Sequence, residues 1–286
     1  MTNNRKQITQ TIWFGICTLF AVMTIAVLFL LLYWLIRGGA HVLSWEFITQ
    51  APRSNMTAGG IRPAIIGTIY VASLTLFLSV PLGVFAAIYL NEYAKQGRLV
   101  RIIRLSIRNL SGVPSIVYGL FGLGLFASML KFGTSLLAAA CTLALMVLPW
   151  IITASEEALK SVPKSFREGG LALGATKWQT IRMLVLPSAV PGMMTGSILG
   201  LARAAGETAP IILTGAAYFL PQLPSSVFDR FMALPYHLFI LATQHSRVAD
   251  VRPLAFGTAL VLIGLVLFLN MGAILIRNHF RKKRTW

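Results

Sequence analysis

Residues 167–187, REGGLALGATKWQTIRMLVLP, are the one long stretch in the middle of the chain polar enough to live in water while apolar segments lie on both sides. Helix formers run from Glu168 to Leu173, Gly174 interrupts them, and Thr176 is placed to cap a second helix starting near Lys177. The spacing predicts two short helices joined by an elbow. An elbow of this shape, carrying small residues, suits the grip of a soluble partner, and it is also what an ordinary amphipathic loop looks like.

The flanking segments decide what the elbow projects from. No charge occurs between Lys6 and Arg37, Arg62 and Glu92, Arg108 and Lys131, or Lys131 and Glu156. Each gap exceeds the ~20 residues that cross a hydrocarbon core of about 30 Å. A fifth apolar run follows Arg182 and a sixth lies between Arg252 and Arg277. Soluble helices need charged outer faces recurring every turn or so, and these runs have none. The expected fold is all-α, a polytopic membrane protein with six transmembrane helices: about Ile12 to Ile36, Ala64 to Leu90, the segment after Arg108, the segment ending near Pro149-Trp150, Met183 to Gly215, and Pro253 to Ile276. Cys17 and Cys141 both fall in these runs and say nothing about redox compartment.

A net charge of +17 invites a nucleic-acid reading, and the positions of the cations argue against it. With the N-terminus taken as cytoplasmic, the inner segments hold two, five, five and five Lys or Arg residues and the outer ones three, one and three. That segregation is the positive-inside pattern and places both termini in the cytoplasm. The basic run Arg281-Lys282-Lys283-Arg284 next to a span is expected to meet anionic headgroups of membrane lipid. Arg98, Arg101, Arg104 and Arg108, spaced three and four apart, predict a short amphipathic helix along the inner surface. The resulting organisation is an N-terminal helix and outer loop (1–62), a five-helix transmembrane unit (63–276) with its elbow at about 156–187, and a basic tail (277–286).

Two further features stand out inside the spans. Gly192, Gly196, Gly200 and Ala204 recur every four residues, a small-residue ridge that lets another helix approach closely. Just beyond lie Arg203 and Glu207, also four apart and so on one helical face, with Pro210 following. An intramembrane charge costs roughly 2.5–3.5 kcal/mol on insertion scales, so the two point either to a water-filled path or to a mutual pair that braces helices. The segment 216–252 has too short an apolar middle for a span and is expected as a helix in or near the outer interface. His237 and His245, eight apart, lack metal-ligand spacing and are expected as solvated loop residues. No Walker A stretch, Gly-x-Ser-x-Gly, Cys-x-x-Cys or His-Glu-x-x-His motif occurs, so neither an enzyme, a cofactor nor a metal is expected.

With these residues in place, a resemblance narrows the reading. Glu168, then Gly174, nine residues, and Leu184-Val185-Leu186-Pro187 resemble the EAA loop of ABC importer permeases, with Gly169 and Gly170 where that loop has Ala-Ala. Each Gly costs a helix about 1 kcal/mol relative to Ala, which predicts a softer first half of the elbow. TAGGIRPAIIGTIY, VPLGVFAAIYLNEYA, SGVPSIVYGLFGL and above all ARAAGETAP look like the PstA-type phosphate permease family. The resemblance implies a type I ABC importer transmembrane domain in the cell inner membrane, paired with a PstC-type permease. It also implies two PstB-type ATPase subunits gripping the elbow at Glu168, Gly174, Ala175 and Thr176, and a PstS-type phosphate-binding protein outside. An arginine fork matches phosphate oxygens bidentately, so Arg203, with Glu207 beside it, is the expected substrate-pathway residue. The alternatives are a permease for another oxyanion such as phosphonate, or a proton-coupled secondary transporter.

Overall fold

The computed structural model describes residues 2–282, and the expected lipid contact of the tail falls outside it at Lys283 and Arg284. Twelve helices follow one another: α1 (Thr2–Gly39), α2 (Trp45–Thr49), α3 (Arg62–Ile88), α4 (Arg98–Leu110), α5 (Ser115–Gly122), α6 (Leu136–Lys160), α7 (Lys164–Ala172), α8 (Lys177–Thr180), α9 (Leu186–Gly206), α10 (Ala209–Thr214), α11 (Leu234–Phe239) and α12 (Val248–Lys282). Five stretches among the described residues are long and apolar enough to cross a membrane: 9–42, 62–93, 136–160, 177–206 and 248–279. The expected third span is the exception: α5 and its continuation run only from Ser115 to Met129, and they reach span length only together with α4, from which they bend by 102°.

The bundle is assembled around α6. Apolar transfer from lipid to protein gains little, so association inside a membrane rests on close packing, and small residues allow the closest. Ala138, Ala139 and Ala140 are fully buried on α6, which packs chiefly against α3 and α9. On α9 the glycine ridge behaves as its spacing predicts. A Cβ at Gly192 would stand 2.6 Å from Cβ of Ala158, and one at Gly196 would press on Ala154, so backbone touches side chain with no room for a methyl. α1 stands apart, its large apolar side chains exposed as befits a lipid-facing helix, and it meets α12 where Gly38 and Gly39 lie against Phe256 and Gly257.

Two expected helix bounds are corrected. α6 does not end near Pro149-Trp150 but continues unbroken through Glu156 to Lys160. The run expected as one span from Met183 to Gly215 divides at Glu207, whose backbone is extended (φ −75°, ψ 134°), before α10 resumes at Ala209. Residues 234–244, expected as a helix in or near an interface, are largely enclosed by protein. Leu234, Ile240 and Leu241 are fully buried, and this segment packs between α3 and α12.

The histidines there are buried too, at 3% exposure for His237 and 4% for His245. His245 is fixed in one tautomer, since its Nδ1 accepts from the Arg247 amide at 3.1 Å and its Nε2 therefore donates to the Asn55 carbonyl at 2.8 Å. Sequence spacing excluded a metal pair but carried no information about these long-range partners. The same outer strap completes α6. The amides of Ser135, Leu136 and Leu137, orphaned at a helix start, donate to the carbonyls of Thr214, Asp229 and Val227 at 2.8 to 2.9 Å.

Candidate functional site: an elbow and an intramembrane ion pair

The elbow forms for the reasons its sequence states. α7 ends at Gly174, whose φ of +80° only glycine adopts without strain. The amides of Gly174 and Ala175 turn back to the carbonyls of Leu171 and Gly170 at 3.0 and 3.1 Å, closing the helix end in a Schellman turn. Thr176 then caps α8 reciprocally: its hydroxyl accepts from the Gln179 amide, and its own amide donates to the Gln179 side chain at 2.8 Å.

Of the four residues expected to meet a partner, Glu168, Gly174 and Thr176 are exposed and Ala175 is half-buried. Leu173, 90% exposed, and Trp178, 47% exposed, belong to the same elbow and were not singled out from the sequence. An apolar side chain so exposed next to a strained turn is a signal available in principle. At Gly170 a Cβ would stand 2.8 Å from the Thr180 side chain, so glycine lets α7 lie directly on α8 and the turn that follows it.

The base of the elbow is clamped by two ion pairs between residues far apart in sequence, which spacing did not reveal. Arg167 places Nη2 2.7 Å from Oε1 of Glu92 and Nε 3.1 Å from Oε2, while Nη1 and Nη2 donate to the carbonyls of Val162 and Leu159 at 2.8 Å. Arg104 places Nε and Nη2 each 2.7 Å from Oε1 of Glu156 and also reaches the carbonyl of Leu90. Buried carboxylates persist when paired and hydrogen-bonded; both oxygens of Glu92 meet Arg167, and Oε1 of Glu156 takes two contacts from Arg104. Lys177 completes the clamp, its ammonium 4.9 Å above the Tyr93 ring. The π-helical turn that continues α3, with Glu92 and Tyr93, thus holds both arms of the elbow.

Arg203 and Glu207 meet as their spacing requires, Nε lying 3.3 Å from Oε1. Arg203 occupies the last turn of α9, where the helix dipole favours a cation, and Glu207 is the residue at which the helix opens. The guanidinium also lies 5.2 Å from the centre of the Trp150 ring, midway along α6. Its Nε is buried and makes no well-aligned hydrogen bond. The remainder of the side chain is 37% exposed, so the charge is braced on one side and open on the other. Trp150 was read from the sequence only as a span end.

Against known proteins, the profile of the family described as "Binding-protein-dependent transport system inner membrane component" matches residues 79–285. The Bacillus subtilis "Probable ABC transporter permease protein YqgI" is 33% identical, covering 99% of each chain. The Mycobacterium tuberculosis "Phosphate transport system permease protein PstA 1" is 36% identical over 98% of this chain and 91% of that one. Among solved structures, a bacterial alginate ABC transporter in complex with its pentasaccharide-bound periplasmic protein superposes with a TM-score of 0.63, 17% identity, and coverage of 91% and 94%. The inward-facing methionine transporter MetNI gives a TM-score of 0.56 at 19% identity, over 77% of this chain and 94% of that one. These two likenesses carry the fold: an all-α, type I ABC importer transmembrane domain.

Proposed function

Because the chain belongs to the family of binding-protein-dependent transport system inner membrane components, a family of transport subunits and not of enzymes, we propose that it is the PstA-type permease of an ATP-driven importer of inorganic phosphate. The observation that carries the solute is the likeness to phosphate permeases over nearly the whole chain, joined to a half-open arginine at the break in α9. Phosphate carries one or two negative charges at neutral pH, and the guanidinium fork matches its oxygens. Glu207 neutralises Arg203 while no anion is present and gives it up when one arrives.

In this reading a PstC-type permease closes the other side of the path, a PstS-type protein delivers phosphate from outside, and two PstB-type ATPase subunits seat on the elbow at Glu168, Gly174, Ala175 and Thr176. Both termini then lie in the cytoplasm. Impermeant thiol labelling of single cysteines tests the orientation: Ser54→Cys and Ser226→Cys react in intact cells, Gln96→Cys and Gln179→Cys do not. Uptake by the full complex in vesicles tests the solute. Radiolabelled phosphate enters with ATP hydrolysis and an excess of phosphonate does not compete; equal transport of phosphonate would reassign the path to a broader oxyanion class.

A further inference from the structure

The helix α4 presents three faces to three different surroundings. Val100 is buried and Ile107 half-buried against the bundle. At 100° per residue, Leu99, Ile102 and Ile103 fall on a second face and are exposed, an arrangement that water would penalise and acyl chains accept. Arg101 and Arg108 fall roughly opposite and Arg98 at the border beside Ile102, all three exposed.

Arg104 is spoken for by Glu156, Gln96 and the Leu90 carbonyl. Arg98, Arg101 and Arg108 have no carboxylate partner among the described residues, and with Gln96 they line a cleft of about 690 Å³. Around the 102° corner between α4 and α5, a second space of about 470 Å³ runs against α6, its walls Ile107, Leu110, Val117, Phe121 and Pro149, with almost no polar surface.

We propose that α4 and its corner with α5 hold an anionic phospholipid from the leaflet on the elbow side, its phosphodiester at Arg98, Arg101 and Arg108 and an acyl chain in the apolar groove against α6. The molecule fits because one ligand has a charged head for the first space and an apolar chain for the second, and the two linings adjoin at Ile107 and Arg108. Guanidinium groups bind phosphate oxygens through paired hydrogen bonds, and basic pockets between helices at a membrane face recognise such headgroups. Free phosphate would use the cleft and leave the groove unexplained. A soluble protein would match the arginines but not the exposed apolar face beside them. The position has a mechanical meaning, because α4 is tied through Arg104 to the end of α6 and to Leu90 beside Glu92.

The test uses the complete purified complex in nanodiscs of mixed phosphatidylethanolamine and phosphatidylglycerol, followed by native mass spectrometry of the lipid that stays bound after detergent exchange. The wild-type complex retains phosphatidylglycerol in preference. The R98Q/R101Q/R108Q variant loses that preference by about fivefold for each headgroup contact removed, while R98K/R101K/R108K, which keeps the charge, retains most of it. Val117→Trp fills the groove and lowers retention with all arginines intact. Undiminished phosphatidylglycerol in the glutamine variant overturns the proposal. So does its displacement from the wild type by inorganic phosphate without sensitivity to Val117→Trp, which would make the cleft an ion site. Loss of ATPase co-purification with unchanged lipid would make this face a protein dock and overturn it equally.

Discussion

Glu92 and Arg167, 75 residues apart in sequence, form a bidentate ion pair with a shortest approach of 2.7 Å, and the Glu92 side chain is only 6% exposed. Removing the carboxylate charge strands a guanidinium whose remaining partners are two neutral carbonyls. Glu92→Gln is therefore expected to destabilise the protein by about 3 kcal/mol, in the range for breaking a buried pair. Thermal unfolding of the detergent-solubilised chain measures it. An unchanged midpoint would mean that the clamp is not built into the stability of the elbow.

Exchanging Arg203 and Glu207 separates a brace from a substrate contact. The double variant Arg203→Glu with Glu207→Arg keeps a neutral pair but moves the cation one helical turn, about 6 Å. It also takes the cation off the Trp150 ring. Assembly and ATP hydrolysis are expected to persist while phosphate uptake stays at the level of the single variants. Near-normal uptake in reconstituted vesicles would leave the pair a structural brace.

Gly174 stands in open space, with no atom within 4 Å of where a Cβ would be, so size alone is tolerated there. Its positive φ is the local constraint, and asparagine accepts that region more readily than other side chains. Gly174→Asn is expected to keep ATPase co-purification and uptake, and Gly174→Trp to insert into the membrane normally yet lose both. Equal co-purification of the two variants would remove the docking assignment.

His237 supplies a pH dependence. Burial, with an unpartnered Nδ1, pushes its pKa down to about 4 from 6.5. The folded protein holds it neutral while the unfolded chain takes up a proton below 6.5, so stability falls as pH drops from 6.5 towards 4. Linkage gives a loss of about 2 kcal/mol between pH 7 and pH 5. His237→Phe, which fills a similar volume without a titrating group, flattens that slope in thermal melts across the same range. A slope unchanged in the variant would place the acid sensitivity elsewhere.

Local signals in the sequence carried far. The elbow, its glycine turn and its threonine cap are encoded within a dozen residues, and the ridge from Gly192 to Ala204 announces a close helix contact by period alone. What escaped has a common cause. Glu92 with Arg167, Glu156 with Arg104, and His245 with Asn55 are partners 52 to 190 residues apart, and no spacing rule reaches across such distances. The corner at Ser111–Pro114 was half visible: arginine spacing set α4 apart from the apolar run that follows, and nothing in that run marked the angle at which α5 leaves it. The division of the fifth run was half visible: Pro210 marked a break, and the chain opens three residues earlier, at the glutamate itself.

The continuity of α6 gives the molecule a rigid lever. Trp150 and Lys160 are ten residues apart on one helix, about 15 Å. If that rod tilts by about 10° about its elbow end, Trp150 sweeps through roughly 2.6 Å. That travel is comparable with the 3.3 Å separating Arg203 from Glu207. Because α6 is packed against both α3 and α9, such a tilt carries those helices with it, and the stacking of Trp150 under the Arg203 guanidinium, 5.2 Å from the ring centre, is thereby tied to the position of the whole bundle.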